Sequence, residues 1–570
     1  MVDDLPTGYY LDNFHYLIKF VLSHYADLLN DSETDFCRRF DDLNLCQQRL
    51  YVRLISRKGP YFRSDKLHYD EIEDIHHALY QLIERGFVAC NHVESSEPWL
   101  HLATRPEVLS HFTVDNRGSR KAELCNEVAQ CYNVGDIQSS LPFDLLQPTH
   151  EATLRVFRLL FFGNLHQDLT EFVLRDLGIS PYESYVLDAT GRYFDQRAIV
   201  DAVLEAYQLQ DLAYAAIEQP DLSLADFAET YLLNLEAEDD QLMRRYSKIL
   251  NRVARQLERE SSETLALKLY QKSHLTPARE RTTRLLATTG QPAHALNLCQ
   301  QITLAPQTEA EFEFAVNFGA RLTRKHGLPA NGLPGKHEDL YSVENICLAK
   351  VEHQRVEVTV ANRLAETGGV ALHVENGLLP GLFGLCFWDI IFAPVKGVFF
   401  NRFQRGPVDL FTDQFSMTRR SQIQQRLLDL DDTSLLEQRI QNVYRKKSGI
   451  TNHFVIWGTL SPELISLSLD RIAPAHLRLI FLRLLRDLKA NRSGFPDLAV
   501  FPSTGGYEMV EVKGPGDTLQ ANQKRWLRFF YDNGIPARVV NVSWQPCLKP
   551  CLKPCLKPCL KPCLRSCLRS

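Results

Sequence analysis

Residues 494–515 constrain the fold more than any other stretch of this chain. Gly494-Phe495-Pro496-Asp497 reads as a turn, and Leu498-Ala499-Val500-Phe501 is an apolar run of strand length. A polar turn follows at Ser503-Thr504-Gly505-Gly506, and a second run ends Glu511-Val512-Lys513 before Gly514-Pro515-Gly516-Asp517 opens a helix. Two strands this short and apolar need a sheet covered on both faces. Side chains alternate along a strand, so Glu511 and Lys513 share one face while Val510 and Val512 point into the opposite layer.

The chemistry of that pair is specific. Asp497 and Glu511 bring two carboxylates toward one spot, and they repel unless a cation lies between them. Hard divalent ions prefer such oxygen ligands. Lys513 beside them can orient a water or stabilise a charged transition state. The set is what metal-dependent phosphodiester hydrolysis requires.

At 570 residues the chain is long enough for three or four domains. It has no run of about 20 apolar residues, so no membrane span is expected. The start, Met-Val-Asp-Asp-Leu-Pro, lacks the basic and apolar regions of a signal peptide. Six of the 14 cysteines fall in a tail that repeats Cys-Leu-Lys-Pro four times and Cys-Leu-Arg-Ser twice. A proline every fourth residue forbids a continuous helix, so the tail is expected to be disordered. The other eight cysteines form no C-x-x-C pair, which argues against zinc and fits a reducing intracellular compartment. The tail carries six positive charges. The remainder therefore has a net charge near −12 (−6 minus 6), and nucleic acid must be bound through local basic patches.

One such patch is visible. Residues 49–66 hold six cations interleaved with Tyr51, Tyr61 and Phe62. Arg53, Arg57, Lys58, Arg63 and Lys66 are candidate phosphate contacts, with an aromatic free to stack on a base. The competing reading is a solvated helix face above buried Leu50, Leu54 and Tyr61. Around it the pattern is helical from Asn13 to Leu29. Val93 to Trp99 reads as a loop and Pro142 to Pro148 as a turn. Thr264 to Lys272, Thr276 to Thr289 and Ala293 to Ile302 form an amphipathic array with a degenerate tetratricopeptide-like period. Gly327 to Gly335 reads as a linker. Beyond it Arg355 to Val360 alternates like a strand, and Leu382 to Phe392 is an apolar helix. Ser421 to Lys447 and Ser461 to Lys489 read as long helices, Thr518 to Asn533 as a helix stopped by Gly534, and Ala537 to Val542 as a last strand.

The motif Pro496-Asp497…Glu511-Val512-Lys513 resembles the PD-(D/E)xK nuclease superfamily, in its VRR-NUC branch. With His373-Val374-Glu375-Asn376-Gly377, Leu382 to Phe392 and Arg492-Ser-Gly-Phe-Pro496, the chain resembles the Fanconi-associated nuclease family. The resemblance is weak over most of the first 546 residues and strong after about 370. It implies a multidomain protein, mainly α-helical over its N-terminal two-thirds, with a C-terminal α/β PD-(D/E)xK nuclease domain. The expected division is an N-terminal helical domain at 1–65, a SAP-like DNA-binding region at 66–215, a TPR-like scaffold at 216–335, the VRR-NUC domain at 336–546 and the tail at 547–570.

The resemblance also implies roles. Glu375, Asp497 and Glu511, with the Val512 carbonyl, would hold two Mg²⁺ or Mn²⁺ ions, and Lys513 would be the catalytic lysine. Lys489 and Arg492 would contact phosphate, and Gln523 and Lys524 lie on the helix where related nucleases approach it. Where the family pattern suggests a base within Thr518 to Lys524, this chain has Asn522, so the chemistry of a 5′-phosphate pocket is open. Cys37 and Cys46 lack the spacing of the ubiquitin-binding zinc finger of some members, which suits a bacterial-type member acting in the cytoplasm or nucleoid. The implied activity is a 5′-flap endonuclease and 5′-to-3′ exonuclease in DNA interstrand crosslink repair, with branched, 5′-phosphorylated DNA as partner. Alternatives are a Holliday-junction resolvase, against which the long insertion between Glu375 and Asp497 argues, and a non-catalytic repair scaffold.

Overall fold

The computed structural model describes residues 7–169, 181–188, 190–219, 223–329, 332–335, 340–366 and 368–545. The Cys-Leu-Lys-Pro tail lies outside them, as do parts of the Gly327 to Gly335 linker. The described residues fall into two compact units. One is drawn from 1–337, 384–428 and 438–457, the other from 338–383, 429–437 and 458–570. No described helix is long and apolar enough to cross a membrane.

The first unit opens with helices Tyr9–Tyr25, Asp31–Asp41 and Leu45–Ile55. Asn30 and Asn44 each begin a helix with a reciprocal capping box, to Glu33 and Gln47. Strands β1 (Phe62–Arg63), β2 (Val88–Cys90) and β3 (Leu145–Pro148) follow, ordered β1-β3-β2 and antiparallel. Between β2 and β3 four short helices close over their own core of Trp99, Val108, Leu124, Val128 and Ile137. Further on, helices Asp240–Arg259, Glu263–Lys272, Ala278–Thr288, Pro292–Leu304 and Glu309–His326 pack each on the next, the helix-turn-helix array that the sequence suggested.

The second unit is built on a five-stranded mixed sheet. Its strands are β4 (Ser342–Leu348), β5 (Val370–His373), β6 (Leu498–Phe501), β7 (Glu508–Lys513) and β8 (Ala537–Trp544), in the order β4-β8-β7-β6-β5. β4, β8 and β7 run parallel, while β6 is antiparallel to both β7 and β5. Leu498, Val500, Val510, Val512, Val540 and Val542 form one face of the core together with Val360. Val510 and Val512 thus point into that layer, as strand alternation requires. The sheet-following helix runs Ala521–Asp532, and Gly534, at φ 65°, turns the chain out of it.

Several local expectations are corrected. Arg355 to Val360 is not a strand, because Val356–Ala365 is a helix. Six alternating residues fit either period; Val356 and Val360, four apart, share a helical face, and Val360 is fully buried against the sheet. The expected helix 461–489 is two helices, Pro462–Arg471 and Pro474–Arg486, since Pro474 has no N–H to continue the first. The expected helix 421–447 is also two, Arg420–Asp429 and Thr433–Lys447. The apolar run at 382–392 divides into Leu378–Cys386 and Trp388–Ile391. Within 93–99 a helix begins at Glu97, and 142–148 ends in β3 rather than a turn alone.

Candidate active site

The site begins with the register of β6 and β7. Leu498 pairs with Val510, so Asp497 sits at the strand end beside Glu511. The Val512 N–H donates to Asp497 Oδ2 at 2.9 Å, which fixes the carboxylate against the β7 backbone. Gly494 makes the approach possible. Its φ is 95°, and a Cβ there would lie 2.9 Å from Asn522 backbone and side-chain atoms.

A second loop closes on the same strand end. The N–H groups of Val374 and Glu375 both donate to the Asp497 carbonyl, at 2.9 and 3.0 Å. Asn376 Oδ1 accepts from the N–H groups of Gly494 (2.8 Å) and Phe495 (3.2 Å), tying the two loops together. Gly377 allows the chain to pass Thr459, whose side chain a Cβ would meet at 2.6 Å. Glu375 itself holds a left-handed φ of 33°, a strained position for a residue with a side chain. The motif His373-Val-Glu-Asn-Gly377 is therefore a device for placing Glu375 beside Asp497, 122 residues away in sequence.

Electrostatically the pair is frustrated. Glu511 is fully buried, at 0 % exposure. Lys513 Nζ lies 2.8 Å from Glu511 Oε1, and neither Glu511 oxygen meets any other polar partner among the described residues. Burial first, then the neighbouring Asp497, push the Glu511 carboxyl up to about 7 against the pull of Lys513. Asp497 is also raised, by burial and then by Glu357 and Glu375, although the Val512 N–H works the other way. Lys513 Nζ also donates to Gln523 Oε1 at 3.1 Å, and Gln523 Oε1 accepts the Gln520 N–H at 2.9 Å. The structure thus brings Gln523 to the lysine.

These residues fit a divalent cation. Asp497, Glu511 and the Val512 carbonyl offer hard oxygen donors, and a buried carboxylate pair with one lysine leaves negative charge that a cation would neutralise. Among the described residues no three His, Cys, Asp or Glu side chains already stand together as a metal shell, although Glu375 lies near enough to raise both Asp497 and Glu511. Glu375 is exposed and its Oε1 accepts from Asn376 Nδ2 at 3.1 Å, so its carboxylate is turned along its own loop. A fourth acid, Glu357, escaped the sequence reading. It stands in the first turn of helix Val356–Ala365 and acts on Asp497 more strongly than Glu375 does. Reading that segment as a helix with an acid in its first turn was the available signal.

The basic candidates separate. Arg63 is only 7 % exposed, bonds both Asp65 and Glu107 through paired contacts of 2.8–2.9 Å, and lies 4.0 Å above the Phe143 ring. It is a structural ion cluster, not an open phosphate contact, and it holds Glu107 down at about 2. Arg53 is similarly engaged, bonding Glu71 at 2.6 Å and stacking 4.0 Å over Tyr10. Arg57, Lys58 and Lys66 remain exposed. Arg57 donates to the Tyr69 hydroxyl at 3.3 Å. Leu50 and Leu54 are buried beneath, while Tyr61 is half-buried. Lys489 and Arg492 are exposed ahead of Gly494, and Lys524 is half-buried one residue after Gln523.

Known proteins resemble the chain along nearly its whole length. The VRR-NUC domain model matches residues 431–544, and the model of the FAN1 HTH domain matches 8–89. The latter spans the first three helices, β1, the helix Ile75–Glu84 and most of β2, a module not evident from the sequence as one unit. The Fanconi-associated nuclease 1 homolog of Pseudomonas aeruginosa is 36% identical, covering 94% of this chain and 96% of that protein. The Arabidopsis thaliana homolog is 27% identical over 94% of this chain and 67% of its own. A crystal structure of paFAN1 bound to 2nt 5′flap DNA with a gap superposes with a TM-score of 0.84 at 34% identity, covering 95% of this chain and 100% of that one. With the Asp497–Glu511–Lys513 geometry in a mixed sheet and a relative this similar from end to end, the chain belongs to the Fanconi-associated nuclease family and is a DNA nuclease.

Proposed function

We propose that the chain cuts branched DNA as a metal-dependent 5′-flap endonuclease and 5′-to-3′ exonuclease, with Mg²⁺ or Mn²⁺ as a pair of ions, in interstrand crosslink repair. The observation that carries this reading is the buried Glu511 carboxylate, met only by Lys513 and set beside Asp497. The flap preference draws support from the similarity to paFAN1, which was crystallised on 5′-flap DNA.

Asp497, Glu511 and the Val512 carbonyl would hold the cations, with Glu375 joining them from its loop. The ions would supply charge for the attacking water and the leaving oxygen. The chain's own groups do the rest. Val512 N–H keeps Asp497 oriented. Gln523 and Glu511 hold the Lys513 ammonium between them, where it can donate to a phosphate oxygen as charge develops. Arg57, Lys58, Lys66, Lys489, Arg492 and Lys524 provide the phosphate contacts along the duplex.

The test is cleavage of a 5′-flap duplex labelled at its 5′ end, with Mg²⁺, Mn²⁺ or chelator, for the wild type and Asp497→Ala. Cutting near the flap junction that needs the metal and is lost in the variant, with flap binding retained, is the expected result. Cutting that survives in Asp497→Ala would overturn the site. Preferential cutting of four-way junctions over flaps would overturn the substrate.

A further inference from the structure

The helical array holds a second charged site, remote in sequence from the nuclease residues. A cleft of about 750 Å³ opens between helices Ala278–Thr288 and Glu309–His326. Arg281 and Arg284 line it from the first helix, Arg321 and Lys325 from the second. Buried Leu285 and Leu322 contribute its apolar floor.

The four cations are not equivalent. Arg281 is neutralised by Glu258, with Nε 3.0 Å from Oε2. Arg284 bonds Glu280 at 2.8 and 3.0 Å. Arg321 and Lys325, four residues apart on one exposed helical face, have no acidic partner among the described residues. Favourable interaction with a helix C-terminus accounts for basic residues in a last turn such as Lys325. It does not account for Arg321 lying 5.0 Å over the Phe318 ring while Arg284 approaches the same ring at 5.5 Å from across the cleft. This surplus positive charge stands in a chain whose net charge is −6.

We propose that this cleft docks an acidic peptide segment of a partner protein, with its carboxylates on Arg321 and Lys325 and an apolar side chain on the Leu285–Leu322 floor. Charge complementarity selects an anion. The form of the cleft selects peptide over nucleic acid. Phe318 in its lining is already engaged by two guanidinium groups, which compete with a base for its faces. Its cations gather around an apolar floor rather than forming a track along a phosphate backbone.

The test uses the full chain and an end-blocked, fluorescent ten-residue peptide of glutamates flanking two central leucines, followed by anisotropy. The peptide should bind, and its counterpart with glutamine for glutamate should not. R321E/K325E should weaken binding about tenfold or more while leaving flap cleavage unchanged. Lys325→Glu alone, at an exposed position, keeps the measurement readable if the double variant is unstable, and should weaken binding severalfold. No binding of the acidic peptide to the wild type would overturn the proposal. So would equal affinity in wild type and variants. A single-stranded oligonucleotide whose binding, unlike the peptide's, is lost in R321E/K325E would overturn it in favour of a nucleic-acid surface.

Discussion

The β6–β7 strand end and the basic stretch at 49–66 are both dense in charge, yet the fold treats them in opposite ways. In the basic stretch the most buried charges are neutralised within the protein. Arg63 meets Asp65 and Glu107, and Arg53 meets Glu71. At the strand end burial brings like charges together. Glu511 is enclosed beside Asp497 with a single lysine, and both carboxyls are raised. Density of charge therefore does not mark function here; charge left unresolved by the fold does. Folding alone would select against such a site, since burying a carboxylate beside another destabilises the protein. Its presence points to a ligand that completes it.

The comparison can be broken at either end. The largest effect is expected from Lys513→Ala, which should lower flap cleavage about 10³-fold with little change in melting temperature below pH 7, because Lys513 serves the chemistry and Glu511, already raised to about 7, takes up a proton when its cation is removed. Comparable loss of stability and activity would place it with Arg63 instead. Arg63→Ala should do the reverse. Removing one partner of a largely buried ion cluster costs about 3 kcal/mol, seen as a lower first unfolding transition, while the protein that remains folded still cuts DNA. An unchanged transition would show that the cluster is only a surface pair.

Acidification should separate the two regions by sign. Glu511, raised from 4.5 to about 7, contributes stability that is present below 4.5 and lost as pH rises through 7. In chelator, the second unit should therefore become less stable from pH 5 to 8, and Glu511→Gln should flatten that decline. Glu107, lowered from 4.5 to about 2, contributes stability present above 4.5 and lost as pH falls through 2. Arg63→Ala should remove part of that acid loss. A metal-free melting profile over pH 5 to 8 that is identical in Glu511→Gln would sink the first half of the contrast. The smallest effect is expected from replacing Arg57 and Lys58 by Ala. Flap binding should weaken severalfold and its salt slope fall by about 2, whereas an unchanged slope would return both residues to a solvated surface.

The strand pair was legible because local rules suffice for it. Gly494, the apolar run, the Gly505–Gly506 turn and Glu511-Val-Lys513 each restrict the backbone within a few residues, and side-chain alternation then assigns the faces. The helical array was legible for the same reason, since Gly290 and Pro292 punctuate its period. Helix 356–365 was misread because six alternating residues, four of them β-branched, satisfy both periods until a packing partner is known. Glu357 was lost with it.

By itself, then, the amino-acid sequence determined the nuclease chemistry: two acids and a lysine at a spacing that only an antiparallel strand pair brings to one place. Tertiary structure alone decided which charges remain to be used. Arg57 and Arg63 look alike in sequence, and nothing within a few residues of Arg63 announces Glu107. Neutralisation depends on distance in space, through a partner 44 residues away at Arg63, and assembly of the acidic site depends on loops 122 residues apart at Asp497 and Glu375. Local propensity carries no information about such partners, whereas the electrostatic energy of a buried charge depends almost entirely on them.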